Sequence, residues 1–245
     1  MSIVSAKNIS FGYDNEYVIR NASFDINKGD YIGIIGGNGT GKSTLIKLIL
    51  GELKPEIGEV TIFGEEAGHF KSKSRIAYIP QNAGQISKDF PATVEEIVSA
   101  ALYSEIGRFK FINKEQKKRV SAALSLVGME DKSKKLIGNL SGGQQQRAMI
   151  AAALVSEPEI IFLDEPSNGI DSETERLLYS LLARLNREKS LTVVMITHDI
   201  TGIANEASRI LLLSDSGITE IPPSDCNEEC LHHHHHTQKR TNKEG

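Results

Sequence analysis

The fold of this chain is decided by the stretch Gly36-Gly37-Asn38-Gly39-Thr40-Gly41-Lys42-Ser43-Thr44. An apolar run at residues 31–35 precedes it, and a helix-like pattern at residues 45–50 follows it. Strand, glycine-rich loop and helix therefore occur in the order in which proteins build a cradle for phosphate groups. A glycine-rich turn without a ligand is the alternative, and the flanking strand and helix argue against it. The stretch predicts a site for a nucleoside triphosphate.

Each residue type in this loop has a physical reason to be there. The glycines let backbone N–H groups turn inward where a Cβ would clash. The helix that follows adds its free N-terminal donors and the positive end of its dipole. Lys42 is expected to reach the β- and γ-phosphates, and the Ser43 hydroxyl is expected to hold Mg²⁺.

Composition narrows the class of protein. The chain has 245 residues, a net charge of −4 and two cysteines, Cys226 and Cys230. Such a charge provides no whole-chain attraction to nucleic acid, and we expect no nucleic-acid partner. No apolar run approaches the roughly 18 residues of a membrane span, and residues 1–10 do not resemble a signal peptide. We therefore expect a cytoplasmic protein without a disulfide framework.

The hydrophobic pattern changes twice along the chain. Residues 3–9 and 22–26 alternate like antiparallel strands, and strand signals are missing from residues 85–156. Buried-type strands resume at 160–163 and 192–196, with an amphipathic helix at 172–189 between them. We predict an α/β core over residues 1–84 and 157–222, a helical subdomain over 85–156 and a flexible tail over 223–245.

Two adjacent carboxylates, Asp164 and Glu165, end the apolar strand at 160–163. Beside a phosphate loop, Asp164 could hold the Mg²⁺ shell, and Glu165 could polarise a water for attack on the γ-phosphorus. A chance acidic pair at a strand end is the alternative. The phosphate loop in the same chain favours the catalytic interpretation.

The stretch Leu140-Ser141-Gly142-Gly143-Gln144-Gln145-Gln146-Arg147 is the most specific in the sequence. Ser141 is placed to cap a helix, and the glycines expose backbone donors, as in an anion site. Together with the phosphate loop and the acidic pair, this stretch makes the chain resemble an ABC-type ATPase subunit over residues 1–220. The resemblance implies an α/β fold with a P-loop NTPase (RecA-like) core, an N-terminal antiparallel β subdomain and an inserted α-helical subdomain.

The resemblance also implies a residue that stacks on adenine. Tyr13 matches the aromatic residue of the family at this position. Phe11 and Tyr17 are its rivals, and an ordinary loop tyrosine is the remaining alternative.

Three further residues match positions of the family that contact ATP or its surroundings. Gln81 matches the glutamine that touches Mg²⁺ and the attacking water and that relays closure to a membrane partner. His198 matches the histidine that contacts the γ-phosphate. Asp171 fits the loop that crosses between protomers, although it could simply cap the helix that follows.

In this family the signature stretch faces the ATP that the other subunit holds. The resemblance thus implies that Ser141, Gly142, Gly143 and Gln144 contact a partner's nucleotide. The γ-phosphate would then join the two copies, and its hydrolysis would release them. We predict a homodimer that forms on ATP binding.

The segment at residues 75–98 resembles the zinc and manganese uptake branch of the family. The resemblance implies the ATP-hydrolysing subunit of a metal-ion importer, with zinc favoured over manganese, at the cytoplasmic face of the cell membrane. Its partners would be integral permease subunits and, indirectly, a solute-binding protein. The alternatives are an ABC ATPase for another solute or for export, and a soluble ABC ATPase without a transport role.

The tail carries potential metal ligands. They are Cys226, Cys230, His232, His233, His234, His235 and His236. Thiolate and imidazole groups suit zinc, copper or nickel. We hypothesise that the tail senses or buffers zinc, the alternatives being a purification tag and incidental low complexity. A chain whose main function is metal binding by the tail is a third class, which the complete catalytic set disfavours.

Overall fold

The computed structural model describes residues 2–14, 16–103, 112–214 and 216–226. Its strands and helices are, in chain order, β1 (Ser2–Tyr13), β2 (Glu16–Asn27), β3 (Tyr31–Ile35), α1 (Lys42–Ile49), β4 (Ile57–Ile62), β5 (Glu65–Glu66), β6 (Ile76–Ile79), α2 (Val94–Ala100), α3 (Lys114–Leu126), α4 (Gly142–Leu154), β7 (Ile160–Asp164), α5 (Ser172–Lys189), β8 (Thr192–Ile196), α6 (Ile200–Glu206), β9 (Arg209–Ser214) and β10 (Gly217–Ile221). Short 3-10 helices occupy Ala67–His69, Lys73–Arg75, Glu130–Lys132, Ile137–Asn139 and Pro223–Asp225.

The chain forms two compact units. Unit 1 comprises Met1–Lys71 and Thr192–Gly245, and unit 2 comprises Ser72–Leu191. Unit 2 is longer than the helical subdomain expected at residues 85–156, because β6, β7 and α5 cluster with its helices. The domain limits drawn from the sequence pattern stay a prediction.

Unit 1 contains an antiparallel sheet in the order β2-β1-β4-β5. β1 and β2 are longer than the segments 3–9 and 22–26 expected from the sequence. Their pairing is interrupted by register shifts near Asn8 and Asn21, whose φ angles are 49° and 42°. Such bulges break the alternation of apolar and polar residues along a strand. A prediction that relies on this alternation therefore gives strands that are shorter than the observed β1 and β2.

The remaining strands of unit 1 run in the order β10-β9-β3-β8. β3 is parallel to both β8 and β9, whereas β10 is antiparallel to β9. Every residue of β3 and β8 is buried, as expected for parallel strands covered on both faces. The carboxyl end of β3 leads directly into the phosphate loop and α1.

Unit 2 combines the parallel pair β6–β7 with the helices α2 to α5. Three of these helices begin with a capping box, at Thr93, Asn113 and Ser141. In each box the cap side chain satisfies a backbone N–H that the first helical turn leaves without a partner.

Within the described ranges, every helix falls short of the length or the apolar character that crossing a bilayer would require.

Candidate functional site

The phosphate loop of unit 1 is organised around Lys42. Its side chain is buried, and its Nζ donates hydrogen bonds to the carbonyl oxygens of Gly36 at 3.0 Å and of Gly37 at 2.8 Å. Gly41 caps α1 with φ +94°, and a Cβ at this position would lie 2.5 Å from Val18 Cγ1. Ser43 is exposed at the start of α1. The loop thus has the curvature, the cation and the exposed hydroxyl that a bound triphosphate requires.

His198 lies in unit 1 immediately after β8. It is exposed, between the buried Thr197 and the N-cap residue of α6, Asp199. The Thr197 hydroxyl accepts a hydrogen bond from the Asp199 N–H at 3.0 Å, and this bond fixes the turn that carries the imidazole. His198 therefore lies in a short turn at the end of β8 that is held by a hydrogen bond.

The candidate adenine-stacking residue lies at the tip of the β1–β2 hairpin. Tyr13 is 47% exposed, and its ring meets Phe11 edge-on at a centroid distance of 5.0 Å. Tyr17 is 40% exposed, with the Arg20 guanidinium 5.8 Å from its ring. Tyr13 thus presents an exposed ring supported by a neighbouring aromatic residue, which suits stacking on a base.

In unit 2, Asp164 and Glu165 form the carboxyl end of β7. Asp164 is 4% exposed, whereas Glu165 is partly exposed and has φ +48°, a left-handed conformation that is uncommon for glutamate. Gln81 Nε2 donates to Glu165 Oε2 at 2.6 Å. The structure therefore brings together two of the predicted catalytic side chains, Gln81 and Glu165.

The signature stretch begins α4. The Ser141 hydroxyl accepts from the Gln144 N–H, and Gln144 Oε1 accepts from the Ser141 N–H, both at 3.4 Å. A Cβ on Gly143 would collide with the Thr174 side chain of α5. Gly143 therefore permits the close approach of these two segments, in addition to its expected role in anion binding.

Asp171 caps α5, which was the alternative role considered for it. Its carboxylate accepts from the Thr174 N–H at 2.9 Å and from the Thr174 hydroxyl at 2.7 Å. The pKa of Asp171 lies below its usual value, mainly because of the hydrogen bond from the Thr174 backbone N–H and secondly because of the bond from the Thr174 hydroxyl. A capping role does not conflict with a role at a protomer boundary, because the side chain is exposed.

A cleft of about 230 Å³ lies within unit 2 beside Glu165. Its lining includes Gln81, Gly142, Gln146, Asn168 and Gly169. Gln146 is 6% exposed, and its Nε2 has no hydrogen-bond partner among the described residues. The cleft is large enough for several ordered waters.

Sequence reasoning missed two side chains of this region. Asn168 Nδ2 donates to Glu165 Oε2 at 2.7 Å, and Gln145 bonds to both backbone groups of Ile86. Their amide chemistry was visible in the sequence, but their partners depend on the left-handed turn at Glu165 and on the path of the loop after Gln81. No local pattern indicates either feature.

The predicted tail site falls almost entirely outside the described residues. Cys226 is described and partly exposed, whereas Cys230 and His232–His236 are not among the described residues. Where the structure is described, His, Cys, Asp and Glu side chains form no group of three or more suited to a metal ion.

The two units together contain a phosphate loop with a buried lysine, an acidic pair at a strand end and a capped, glycine-rich helix start. These features define a phosphate-loop nucleoside triphosphatase. Residues 19–168 match the family model described as ABC transporter, and the chain belongs to that family.

Similar proteins extend the match over most of the chain. The zinc uptake system ATP-binding protein ZurA of Listeria innocua serovar 6a is 42% identical over 212 residues, 86% of this chain and 82% of ZurA. The manganese transport system ATP-binding protein MntB of Halalkalibacterium halodurans is 40% identical over 223 residues, 91% of this chain and 87% of MntB.

A solved dimeric structure of a post-hydrolysis state of the ATP-binding cassette MJ0796, bound to ADP and Pi, superposes with a TM-score of 0.74. Its sequence identity is 30%, and the match covers 90% of this chain and 98% of that chain. The predicted fold class and the predicted ATPase activity are thereby confirmed. The chain is an ATP-binding and ATP-hydrolysing subunit of an ABC transporter.

Proposed function

We propose that this chain drives the uptake of a divalent metal ion, zinc in preference to manganese, through a separate membrane permease. The observation that carries the proposal is the 42% identity to a zinc uptake ATP-binding protein over 86% of the chain. The similarity to a manganese transport ATP-binding protein keeps manganese as the second ion. The chain would act at the cytoplasmic face of the cell membrane, with a solute-binding protein as an indirect partner.

The chemistry of the side chains suits Mg-ATP. Ser43 offers a hydroxyl, Asp164 a buried carboxylate and Gln81 an amide oxygen, which are the hard oxygen ligands that Mg²⁺ prefers. Bound Mg²⁺ would neutralise charge on the β- and γ-phosphates. We assign to Lys42 the contact with these phosphates and to His198 the contact with the γ-phosphate.

Glu165 is proposed as the general base. Its carboxylate would accept a proton from the attacking water while Gln81 helps to orient that water. The hydrogen bond of 2.6 Å between Gln81 and Glu165 supports a shared role for these two side chains. Tyr13 would stack on the adenine, and the remaining loop residues, Gly36 to Thr44, would surround the phosphates with backbone donors.

We further propose that two copies of the chain close around two ATP molecules. Ser141, Gly142, Gly143 and Gln144 would contact the partner's nucleotide, and Asp171 would lie at the protomer boundary. The dimeric structure of a similar cassette and the exposed start of α4 support this arrangement.

Growth of a deletion strain tests the transport function. A strain that lacks this chain should fail to grow when zinc is chelated, and the intact gene should restore growth. A Lys42→Ala gene expressed at the same level should not restore it, because transport would lack its energy source. If the deletion strain grows normally in zinc-limited medium but not in manganese-limited medium, manganese is the transported ion. Normal growth in both media would refute a role in the uptake of either ion.

We also propose that the tail binds zinc and adjusts the ATPase rate, since Cys226, Cys230 and His232–His236 provide thiolate and imidazole ligands. Zinc titration of the intact chain and of a chain truncated after Pro223 tests this. The intact chain should bind additional zinc and change its ATPase rate. Equal zinc affinity and equal ATPase response in both chains would contradict the proposal.

A further inference from the structure

Two side-chain amides converge on one oxygen of the Glu165 carboxylate. Gln81 Nε2 donates to Oε2 at 2.6 Å, and Asn168 Nδ2 donates to the same atom at 2.7 Å. Hydrogen bonds to an ionised carboxylate are shorter and about twice as strong as neutral ones. The orientation of the Glu165 carboxylate therefore depends on at least these two donors.

These two donors are held in different ways. Asn168 belongs to the same turn as Glu165, because its backbone N–H donates to the Glu165 carbonyl oxygen at 3.2 Å. Gln81 comes from a different segment, 84 positions earlier in the chain. A movement of the loop around Gln81 would thus remove one donor, whereas Asn168 would move together with Glu165.

The backbone of this turn is specialised. Glu165 has φ +48°, a left-handed conformation that is unfavourable for a non-glycine residue and often marks functional sites. The cleft of about 230 Å³ is lined by both Glu165 and Asn168, and the Glu165 side chain therefore borders open space rather than packed atoms on that side. A side chain beside such a space needs a specific partner to remain in one orientation.

We propose that Asn168 is a positioning residue for Glu165, which orients the carboxylate together with Gln81. The inference depends on the proposed role of Glu165 as general base. Asn168 itself would not contact the nucleotide. Loss of its amide would leave substrate affinity intact and would slow the chemical step, because a poorly oriented base is less effective.

Replacement of the amide tests this inference. Asn168→Ala should lower kcat about tenfold, and KM for ATP should change by less than about twofold, since only the base is misplaced. Asn168→Gln keeps the donor and should retain at least about a third of the wild-type kcat. Asn205→Ala, at an exposed asparagine of α6, is the matched control and should behave like the wild type.

Combining the Asn168 and Glu165 variants distinguishes the positioning role of Asn168 from the role of Glu165 as general base. Glu165→Gln should lower kcat at least about a hundredfold, and Asn168→Ala should add no further loss in that background. An active Glu165→Gln protein would refute the role of Glu165 itself. If Glu165→Gln is inactive, three results would each overturn the inference alone: a normal kcat for Asn168→Ala, equal losses for Ala and Gln, or a full additional loss in the double variant.

Discussion

Lys42 occupies the centre of the phosphate loop, and at the residue scale its contacts suggest how the site stays formed. Its ammonium group donates to the carbonyl oxygens of Gly36 and Gly37, and its side chain is 7% exposed. These bonds satisfy a buried cation and hold the loop in its curved form. The same group can transfer its hydrogen bonds to phosphate oxygens when a nucleotide binds, because both partners are oxygen acceptors.

Replacement of Lys42 by alanine should abolish ATP hydrolysis and weaken ATP binding at least about tenfold, since a charge-assisted contact to phosphate is lost. Nucleotide titration and a phosphate-release assay measure these effects. Lys47→Ala, at an exposed lysine of the same helix, is the control and should leave both quantities near wild type. Wild-type hydrolysis by the Lys42→Ala protein would contradict the assignment of the phosphate loop.

The residues of the site could be predicted from the sequence only where a contiguous motif carried them. Gly36 to Thr44 and the Asp164–Glu165 pair are such motifs. Asn168 lies in the stretch at residues 167–171 that resembles the loop crossing between protomers, but that resemblance assigned a role only to Asp171. The relation of Asn168 to Glu165 arises from a left-handed turn. Glutamate is not a residue type that favours the left-handed conformation, and the sequence pattern therefore gave no sign of this turn.

At the scale of elements, Arg209 connects the two sheets of unit 1. From β9 its guanidinium donates to both carboxylate oxygens of Glu220 on β10, at 2.8 and 2.6 Å. It also donates to Asp30 at 2.6 Å and to the carbonyl oxygen of Asp25 on β2 at 2.9 Å. The planar guanidinium suits this arrangement because its donors point in several fixed directions.

The ion pair between Arg209 and Glu220 should make the free energy of unfolding depend on pH. The hydrogen bond from Arg209 is the main reason that the pKa of Glu220 lies below its ordinary value of 4.5. The stabilisation is therefore fully present above pH 4.5 and is lost as the pH falls through the lower pKa of the folded state. Glu220→Gln should lower the free energy of unfolding at pH 7, and its difference from the wild type should shrink below pH 4.5.

Urea unfolding at several pH values measures this difference. Glu16→Gln, which removes the same charge from an exposed position of β2, is the control and should show little pH-dependent change. A Glu220→Gln difference that stays constant from pH 7 to pH 4 and below would contradict the proposed ion pair.

Gln145 connects the start of α4 to the loop after Gln81. Its Oε1 accepts from the Ile86 N–H at 3.1 Å, and its Nε2 donates to the carbonyl oxygens of Ile86 at 3.3 Å and of Ile137 at 3.1 Å. The side chain is 6% exposed. The Gln145 side chain therefore bonds to the backbone of two separate segments, at Ile86 and at Ile137, much as a neighbouring strand would.

Gln145→Leu should lower the free energy of unfolding by about 1–3 kcal/mol, because a leucine of similar size offers no hydrogen bond to the partly buried backbone groups of Ile86 or to the buried carbonyl oxygen of Ile137. Chemical denaturation measures the loss. Gln85→Leu, at an exposed glutamine of the same loop, should cost less than about 0.5 kcal/mol. Equal stabilities of the two variants would show that the Gln145 hydrogen bonds contribute nothing.

The elements themselves could be predicted where the pattern was unbroken. The strands at 31–35 and 192–196 and the helix at 172–189 were predicted with their observed bounds. β9, β10 and α6 were not predicted. β9 has an apolar centre at residues 210–213 that is as long as the predicted strands, but no phosphate loop, acidic pair or helix pattern next to it marked it, and its pairing with β3 and β10 identifies it as a strand. Long-range pairing of this kind is not encoded in a local window.

At the scale of the whole molecule, the proposed mechanism depends on two copies. One phosphate loop and one signature stretch lie in different compact units of the same chain. We propose that the signature stretch serves the nucleotide of the partner, so that ATP joins the copies and its hydrolysis separates them. A variant that binds ATP but cannot hydrolyse it should therefore accumulate as a dimer.

The most direct test of this account is light scattering of the Glu165→Gln protein with ATP and Mg²⁺. We predict the mass of two copies with ATP and of one copy with ADP, and we predict that Ser141→Arg, which places a bulky cation at the start of α4, abolishes the dimer. A Glu165→Gln protein that binds ATP yet keeps the mass of a single copy would contradict the account.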